Sequence, residues 1–288
     1  MILITGASGN IGKEVLKQIV RAGAQVRAAF QSVSKAAMAP SGAEMVTMDY
    51  NQPQTLQAAL KGVDVVFLVG PPTNNLAVLE RKAVDEIKRA RIRRIVKLSA
   101  MGGREAIFPR QHADSEAYIQ SSGVAYTFLQ PNGFMQNFVN YNAETINAQN
   151  AFYGCQGDGK VSHIDIRDIA AVAVKTLTED GHENKAYTMT GPEALSNARV
   201  AEILSDDVGR EIRYVDLPPD SFKQALIDAQ VPEWSANALV DLQRHYREGK
   251  ASAVTSEVEQ LLGRKPISFE QFSRDYGQAF RPRERAVG

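Results

Sequence analysis

The sequence predicts an α/β fold: a parallel sheet doubly wound with helices, followed by a smaller, mostly helical C-terminal lobe. Two observations carry that prediction. Short apolar, β-branched runs alternate with amphipathic stretches through the first half of the 288 residues, which is the rhythm of βαβ units. The first of those runs passes straight into Gly6-Ala-Ser-Gly9-Asn-Ile-Gly12, a glycine-spaced turn of the kind that brings a backbone close to a phosphate and opens a helix.

Taken in order, Met1–Thr5 is the first strand. Behind the loop Ile11, Val15, Leu16, Ile19 and Val20 share one helical face, Lys13, Glu14 and Lys17 share the other, and Gly23 follows as a C-terminal cap. Gln25–Phe30, Glu44–Met48, Val63–Val69, Arg94–Ser99 and Ala125–Leu129 are the next strands. Leu56 to Leu60 closes at Gly62, and Leu76 to Ala90 carries Leu79, Ala83, Val84 and Ile87 on one face, so three right-handed crossovers are specified. From about residue 150 turns become frequent, in Phe152-Tyr-Gly154 and Gly157-Asp-Gly159. Asp165–Thr178 then reads as helix and Ala186–Thr190 as strand. Further helices are expected over Ser196–Val208, Asp220–Ala229, Trp234–Arg247 and Thr255–Leu262, punctuated by Pro218-Pro219, Pro232, Gly249 and Pro266. The expected division is a nucleotide-binding domain over 1–150, a substrate lobe over 151–280 and a frayed tail over 281–288. Segments near 160–190 should return to the first domain, and strands near 186 and 212 should interleave with it.

Composition narrows function. Lys plus Arg equals Asp plus Glu at 33 each, so no overall field recruits nucleic acid or an acidic membrane surface. Cys155 is the single cysteine, and with four histidines it offers no zinc-ligand spacing. No basic segment precedes the opening apolar run, and no apolar stretch approaches the roughly 18 residues of a membrane span. The expectation is a cytoplasmic protein with no metal, acting at a local site.

The strand–loop–helix context makes Gly6, Ala7, Ser8, Gly9, Asn10 and Ile11 the expected cradle for a dinucleotide pyrophosphate, in a Rossmann-type domain. A tight structural turn is the competing reading. Cofactor choice falls at the end of the second strand, where a carboxylate would bind ribose hydroxyls. Gln31 and Ser32 supply none, and Lys35 is either a partner for a 2′-phosphate or a solvated surface lysine. NADP is therefore favoured over NAD. Asp49 and Tyr50, ending the third strand, either meet the adenine or form a strand-end turn.

Thr5-Gly-Ala-Ser-Gly-Asn-Ile-Gly12, Asp49-Tyr50, Gly62-Val-Asp64 and Ser99 together resemble the atypical short-chain dehydrogenases/reductases. The NmrA-like branch is the nearest likeness, through Gly123-Val-Ala-Tyr-Thr-Phe-Leu-Gln-Pro-Asn132-Gly-Phe-Met-Gln-Asn137, Gly157-Asp-Gly-Lys160, Asp165-Ile-Arg-Asp168 and Thr190-Gly-Pro192. The resemblance spans nearly the whole chain and implies a nucleotide-binding fold. Members include NAD(P)H quinone reductases and triphenylmethane reductases, and also nucleotide-sensing regulators without catalysis.

Typical short-chain dehydrogenases carry Tyr-x-x-x-Lys after the fifth strand, where the tyrosine passes a proton during hydride transfer. Here that spacing holds Phe108 and His112, and the chain's one Tyr-x-x-x-Lys match, Tyr246 with Lys250, lies far downstream. His112 resembles the residue that replaces the lysine in this branch; it either holds nicotinamide ribose, orients substrate or donates a proton, or else is an ordinary surface or helix-terminal histidine. Without the tyrosine, a substrate that needs an acid would react roughly 10²–10⁴-fold more slowly. A quinone or a conjugated cation takes hydride without simultaneous protonation.

Around the expected nicotinamide end, Val69, Gly70 and Pro71 follow the fourth strand, Ser99 the fifth and Pro131 the sixth. Pro72, Met101, Asn132, Phe134, Met135 and Trp234 are candidate substrate contacts, with Phe134 and Met135 equally readable as core. His163, His182 and His245 read as loop or surface residues. The leading expectation is an NAD(P)H-dependent reductase acting on a small electron-poor molecule. The alternative is a non-catalytic NADP-binding sensor that works through a protein partner.

Overall fold

The computed structural model describes residues 1–32, 34 and 41–282, and these form two compact units. The first unit comprises Met1–Pro131, Ile166–Met189 and Glu257–Arg264. Its strands are β1 (Ile2–Ile4), β2 (Val26–Phe30), β3 (Glu44–Thr47), β4 (Val65–Leu68), β5 (Arg94–Leu98), β6 (Ala125–Pro131) and β7 (Lys185–Met189). Its helices are α1 (Asn10–Arg21), α2 (Pro53–Leu60), α3 (Leu76–Arg89), α4 (Ile107–Ser122), α5 (Ile166–Thr178) and α6 (Glu257–Leu262). The seven strands make one sheet in the order β3-β2-β1-β4-β5-β6-β7, and every pairing is parallel. β4 and β5 are buried along their whole length, as strands covered on both faces must be.

One face of the sheet is filled by Leu3, Ala29, Val66, Leu68, Ile95 and Phe128 packing on α2, α3 and α4 through Leu56, Leu60, Ala83, Val84, Ile87 and Ile119. α1 and α5 pack against each other, with Gln18 Nε2 donating to the Arg167 carbonyl at 3.1 Å. α1 is strongly one-sided: Ile11, Gly12, Val15, Leu16 and Ile19 are its buried positions.

The second unit comprises Asn132–Asp165, Thr190–Ser256 and Lys265 onward. A π-helical turn, Phe138–Asn142, leads into helix Ala143–Gln149, and helices Asn197–Val208, Pro219–Asp228, Glu233–Arg247 and Phe269–Tyr276 follow. Strands Arg213–Asp216 and Ala151–Gly154 pair in parallel, and Leu195–Ser196 pairs antiparallel with Lys160–Val161. The core is aromatic: Phe138 meets Phe152 and Phe269 edge-on at 5.6 and 5.2 Å between ring centroids, the arrangement that sets a ring's positive edge on its neighbour's negative face.

The sheet and its crossovers follow the expected pattern, and Ile166–Met189 returns to the first unit. Three expectations are corrected. The first unit's opening run ends at Pro131, not near 150, because Phe138 and Ile146 join the second unit's aromatic core. The strand near 212 pairs with Ala151–Gly154 inside the second unit and does not enter the large sheet. The segment Glu257–Arg264 belongs to the first unit, where Arg264 forms an ion pair with the buried Asp168 at 2.6 Å. Among the described residues, no helix is long and apolar enough to cross a membrane.

Candidate active site

Because the sheet is parallel, the loops after β1, β2, β4 and β5 leave it at one edge. From β1 the chain winds outward to β2 and β3, and from there it crosses to β4 on the other side of β1. That reversal of direction opens a crevice at the carboxyl ends of β1 and β4, where open α/β sheets bind ligands. Thr5 joins those two ends: its hydroxyl donates to the Phe67 and Val69 carbonyls at 3.1 and 3.2 Å and accepts the Val69 N–H at 2.7 Å. The glycine loop starts from this fixed point.

Within the loop Gly9 N–H donates to the Gly6 carbonyl at 2.9 Å. A Cβ on Gly12 would stand 2.2 Å from that same carbonyl oxygen, so the loop folds back on the helix as closely as it does only with glycine there. α1 then begins behind Gly9, which has no side chain to cap it, and its first turn carries no acidic residue. The free N–H groups and positive end of the helix dipole remain for an anion. Gly9 and Asn10 are exposed and Ser8 is half-buried, while Ala7 and Ile11 anchor the loop in the core. This donor set, neutral and uncapped, fits a dinucleotide pyrophosphate.

Of the residues expected at the adenosine end, Gln31 is exposed and Ser32 half-buried, its hydroxyl 3.0 Å from that of Ser34; Lys35 lies outside the described residues. Asp49 closes the turn after β3, accepting from the Asn51 N–H at 2.8 Å and Gln52 Nε2 at 3.2 Å. Tyr50 leans on the core and donates its hydroxyl to the Val69 carbonyl at 2.9 Å. Burial pushes that phenol up, out of acid–base range.

The other end is built on charges that sequence reading missed. Lys97 on β5 and Glu80 on α3 form an ion pair of 2.8 Å with both side chains at 0% exposure. Glu80 also accepts the Gly70 N–H at 3.0 Å and the Ser115 hydroxyl. A Cβ on Gly70 would lie 2.8 Å from Glu80 Oε1, so the glycine is what lets the carboxylate reach the backbone of the loop after β4. Lys97 Nζ donates to the Leu98 carbonyl at 3.0 Å and approaches His112 Nδ1 to 3.1 Å. Burial, then the Lys97 cation, hold the His112 imidazole well below its ordinary range. Nearby Ser99, buried at the end of β5, donates to Glu116, which also receives Gln130 Nε2 on both oxygens at 2.9 and 3.1 Å. Val69, Gly70 and Pro71 are half-buried and Pro72 is exposed; half-buried Met101 is tied to the buried Pro131 by an N–H···O bond of 3.0 Å.

The structure thus gathers Gly6–Ile11, Val69–Pro72, Ser99, Met101, His112 and Pro131 in the first unit. Asn132, Phe134, Met135 and Trp234 belong to the second. There Asn132 is consumed structurally, its amide donating to Ser162 Oγ and the Ala251 carbonyl, both at 2.8 Å. Met135 is core at 1% exposure, whereas Phe134 and Trp234 are half-buried. His163 and His182 lie in loops, one of the two places expected of them, but neither they nor His245, which sits in helix Glu233–Arg247, is at the surface: all three are buried. Burial holds the His163 and His182 imidazoles below their ordinary range, with His163 Nδ1 3.3 Å from the Gly133 carbonyl and His182 Nδ1 2.8 Å from the Tyr187 hydroxyl.

Glu80 and Lys97 did leave a signal. Glu80 sits on the stripe of Leu76, Val84 and Ile87, and Lys97 interrupts a strand with apolar residues on both faces. Charges so placed need partners.

Comparison with known proteins agrees with the geometry. The chain belongs to the NmrA-like family, whose model matches residues 1–273. It is 37% identical over 284 residues to an NAD(P)H azoreductase of Xenophilus azovorans, covering 97% of this chain and 99% of that one. The fold superposes with a TM-score of 0.86 on the NADPH complex of an Escherichia coli NADPH-dependent quinone oxidoreductase, at 26% identity, covering 94% of this chain and 98% of the other. It superposes equally, at 0.86 and 27% identity, on the Citrobacter sp. triphenylmethane reductase complexed with NADP(H), covering 95% and 99%.

Proposed function

We propose that this NmrA-like protein is an NAD(P)H-dependent reductase that passes hydride to an electron-poor small molecule of the quinone or conjugated-cation class. The observation that carries the reading is the uncapped N-terminus of α1 at the switch point, on the same sheet edge as Ser99 and in the same unit as His112. The relatives support it: an azoreductase, a quinone oxidoreductase and a triphenylmethane reductase are each named for a conjugated acceptor.

When bound, NAD(P)H supplies the hydride and both electrons. The chain's part is placement and electrostatics. Gly6, Ala7, Ser8, Gly9, Asn10 and Ile11 hold the pyrophosphate, while Gln31, Ser32, Lys35, Asp49 and Tyr50 attend the adenosine end. Val69, Gly70, Pro71, Ser99, His112 and Pro131 border the nicotinamide. Ser99 gives its hydroxyl proton to Glu116, so its oxygen is left to accept from a carboxamide. Pro72 and Met101 are the first-unit side chains offered to the acceptor. With no carboxylate at Gln31 to repel a 2′-phosphate, NADP is preferred over NAD. The enzyme works in the cytoplasm on a small molecule and requires no protein partner.

Steady-state oxidation of NADPH and NADH against benzoquinones, naphthoquinones, azo dyes and cationic triphenylmethane dyes tests this. Turnover with at least one class, faster with NADPH, is expected, and Lys35→Ala should narrow the cofactor preference. Tight NADPH binding without turnover of any acceptor refutes catalysis and favours the sensor.

A further inference from the structure

We infer that Lys97 is a positioning residue that fixes His112 as the neutral tautomer with its proton on Nε2, so that His112 serves the reaction as a hydrogen-bond donor and not as an acid. The inference rests on the reductase reading for its chemistry but on geometry for its substance. An ammonium group has donors and no acceptor. At 3.1 Å from Lys97 Nζ, His112 Nδ1 must therefore supply a lone pair, and a neutral imidazole that accepts at Nδ1 carries its hydrogen on Nε2.

Lys97 has no freedom to do otherwise. Its remaining directions are taken by Glu80 at 2.8 Å and the Leu98 carbonyl at 3.0 Å, and its side chain is wholly buried. Glu80 is itself engaged with Gly70 N–H and Ser115. The other charged groups near His112 on α4 are committed elsewhere. Asp114 pairs with Arg104 at 2.5 Å, Arg110 Nε donates to the Arg104 carbonyl at 3.3 Å, and Glu116 receives Ser99 and Gln130. The cation on β5 thus faces His112, and burial works on the ring in the same direction. His112 Nε2 is left without a hydrogen-bond partner among the described residues, on a half-buried side chain.

The chemistry follows. When a quinone-type acceptor takes hydride from NAD(P)H, the nicotinamide C4–H bond breaks and its electron pair forms a C–H or O–H bond on the acceptor, which is reduced to an anion while the nicotinamide is oxidised to NAD(P)⁺. A neutral Nε2–H stabilises the developing oxyanion by hydrogen bonding. The proton that completes the hydroquinone comes from water, since a neutral imidazole held beside a cation is a poor proton donor. Glu80 serves twice, anchoring Lys97 and holding the Gly70 loop, so the donor and the loop after β4 are set by one carboxylate.

The test reads the histidine directly. Long-range ¹H–¹⁵N spectra of the full chain, with no cofactor or acceptor added, should show His112 as the Nε2–H tautomer from about pH 5.5 to 8, a range that brackets the ordinary histidine value. Lys97→Met should shift it to mixed tautomers that titrate within that window. Should Lys97→Met fail to fold, kinetics of the His112 variants decide: His112→Ala should lose about 100-fold in kcat, and His112→Gln, which keeps an N–H donor but cannot ionise, should recover at least about tenfold of that. A wild-type His112 that carries its proton on Nδ1, or titrates near the ordinary value, overturns the inference, as does a Gln variant no better than Ala. A locked Nε2–H form in a chain that reduces nothing would count against the reductase reading alone.

Discussion

Replacing Gly12 with alanine is the sharpest perturbation of the nucleotide half of the site. The new Cβ would lie 2.2 Å from the Gly6 carbonyl oxygen, 2.8 Å from its carbon and 2.9 Å from Ala7 Cα. All three are backbone atoms, so no side chain can rotate away. Restoring even a tight 3.0 Å contact to that oxygen requires the loop and the first turn of α1 to part by about 0.8 Å, an overpacking that costs about 1–3 kcal/mol of stability. On the proposed assignment of this loop, the same displacement pulls first-turn N–H groups off the pyrophosphate. Charge-assisted bonds of this kind contribute about 1.5–3 kcal/mol each, so losing the equivalent of one raises the NADPH dissociation constant about 10–150-fold. Isothermal titration with NADPH, at a temperature where a parallel melt shows the variant folded, measures it. A Gly12→Ala protein that is folded and binds NADPH within about threefold of wild type refutes the assignment of this loop to the cofactor.

Two further outcomes are expected. Burial lowers His163 to about 4, so between there and its unfolded value of about 6.5 the unfolded chain binds more protons. The associated stability is complete above about pH 6.5 and is lost as pH falls toward 4, about 3 kcal/mol in all. Urea midpoints taken from pH 7.5 to 4.5 should therefore fall less steeply in His163→Gln than in wild type, and identical slopes would count against a neutral buried imidazole. Tyr246→Phe with Lys250→Met should keep kcat/KM within about threefold, because burial pushes the Tyr246 phenol up and Lys250 is paired with Glu248 at 3.0 Å; a hundredfold loss would bring this pair into the chemistry.

What could be read from sequence divides along a physical line. Strands β1 and β4 announce themselves because a strand covered on both faces is an unbroken apolar run, and the glycine loop does so because its constraint is local: Gly6, Gly9 and Gly12 solve a backbone problem within one turn. The domain boundary is different. Phe138 and Ile146 carry the same helical period as residues of the first unit, and only their contacts with Phe152 and Phe269 assign them to the second. The burial of His163, His182 and His245 was missed for the same reason, since a single imidazole has no periodicity to mark it as buried. The cluster around His112 is the most instructive case. His112 was reached by its spacing from Phe108, but spacing leaves its tautomer and charge open. Those are set by Lys97 from another element, and Lys97 is in turn set by Glu80 from a third. Each charge looked like an interruption of an apolar pattern, at a stripe position of α3 and inside β5. A buried ion costs several kcal/mol unless paired, so two such interruptions in neighbouring elements of one βαβ unit are best read together, as a pair awaiting a purpose. Here the purpose is the orientation of the histidine beside them.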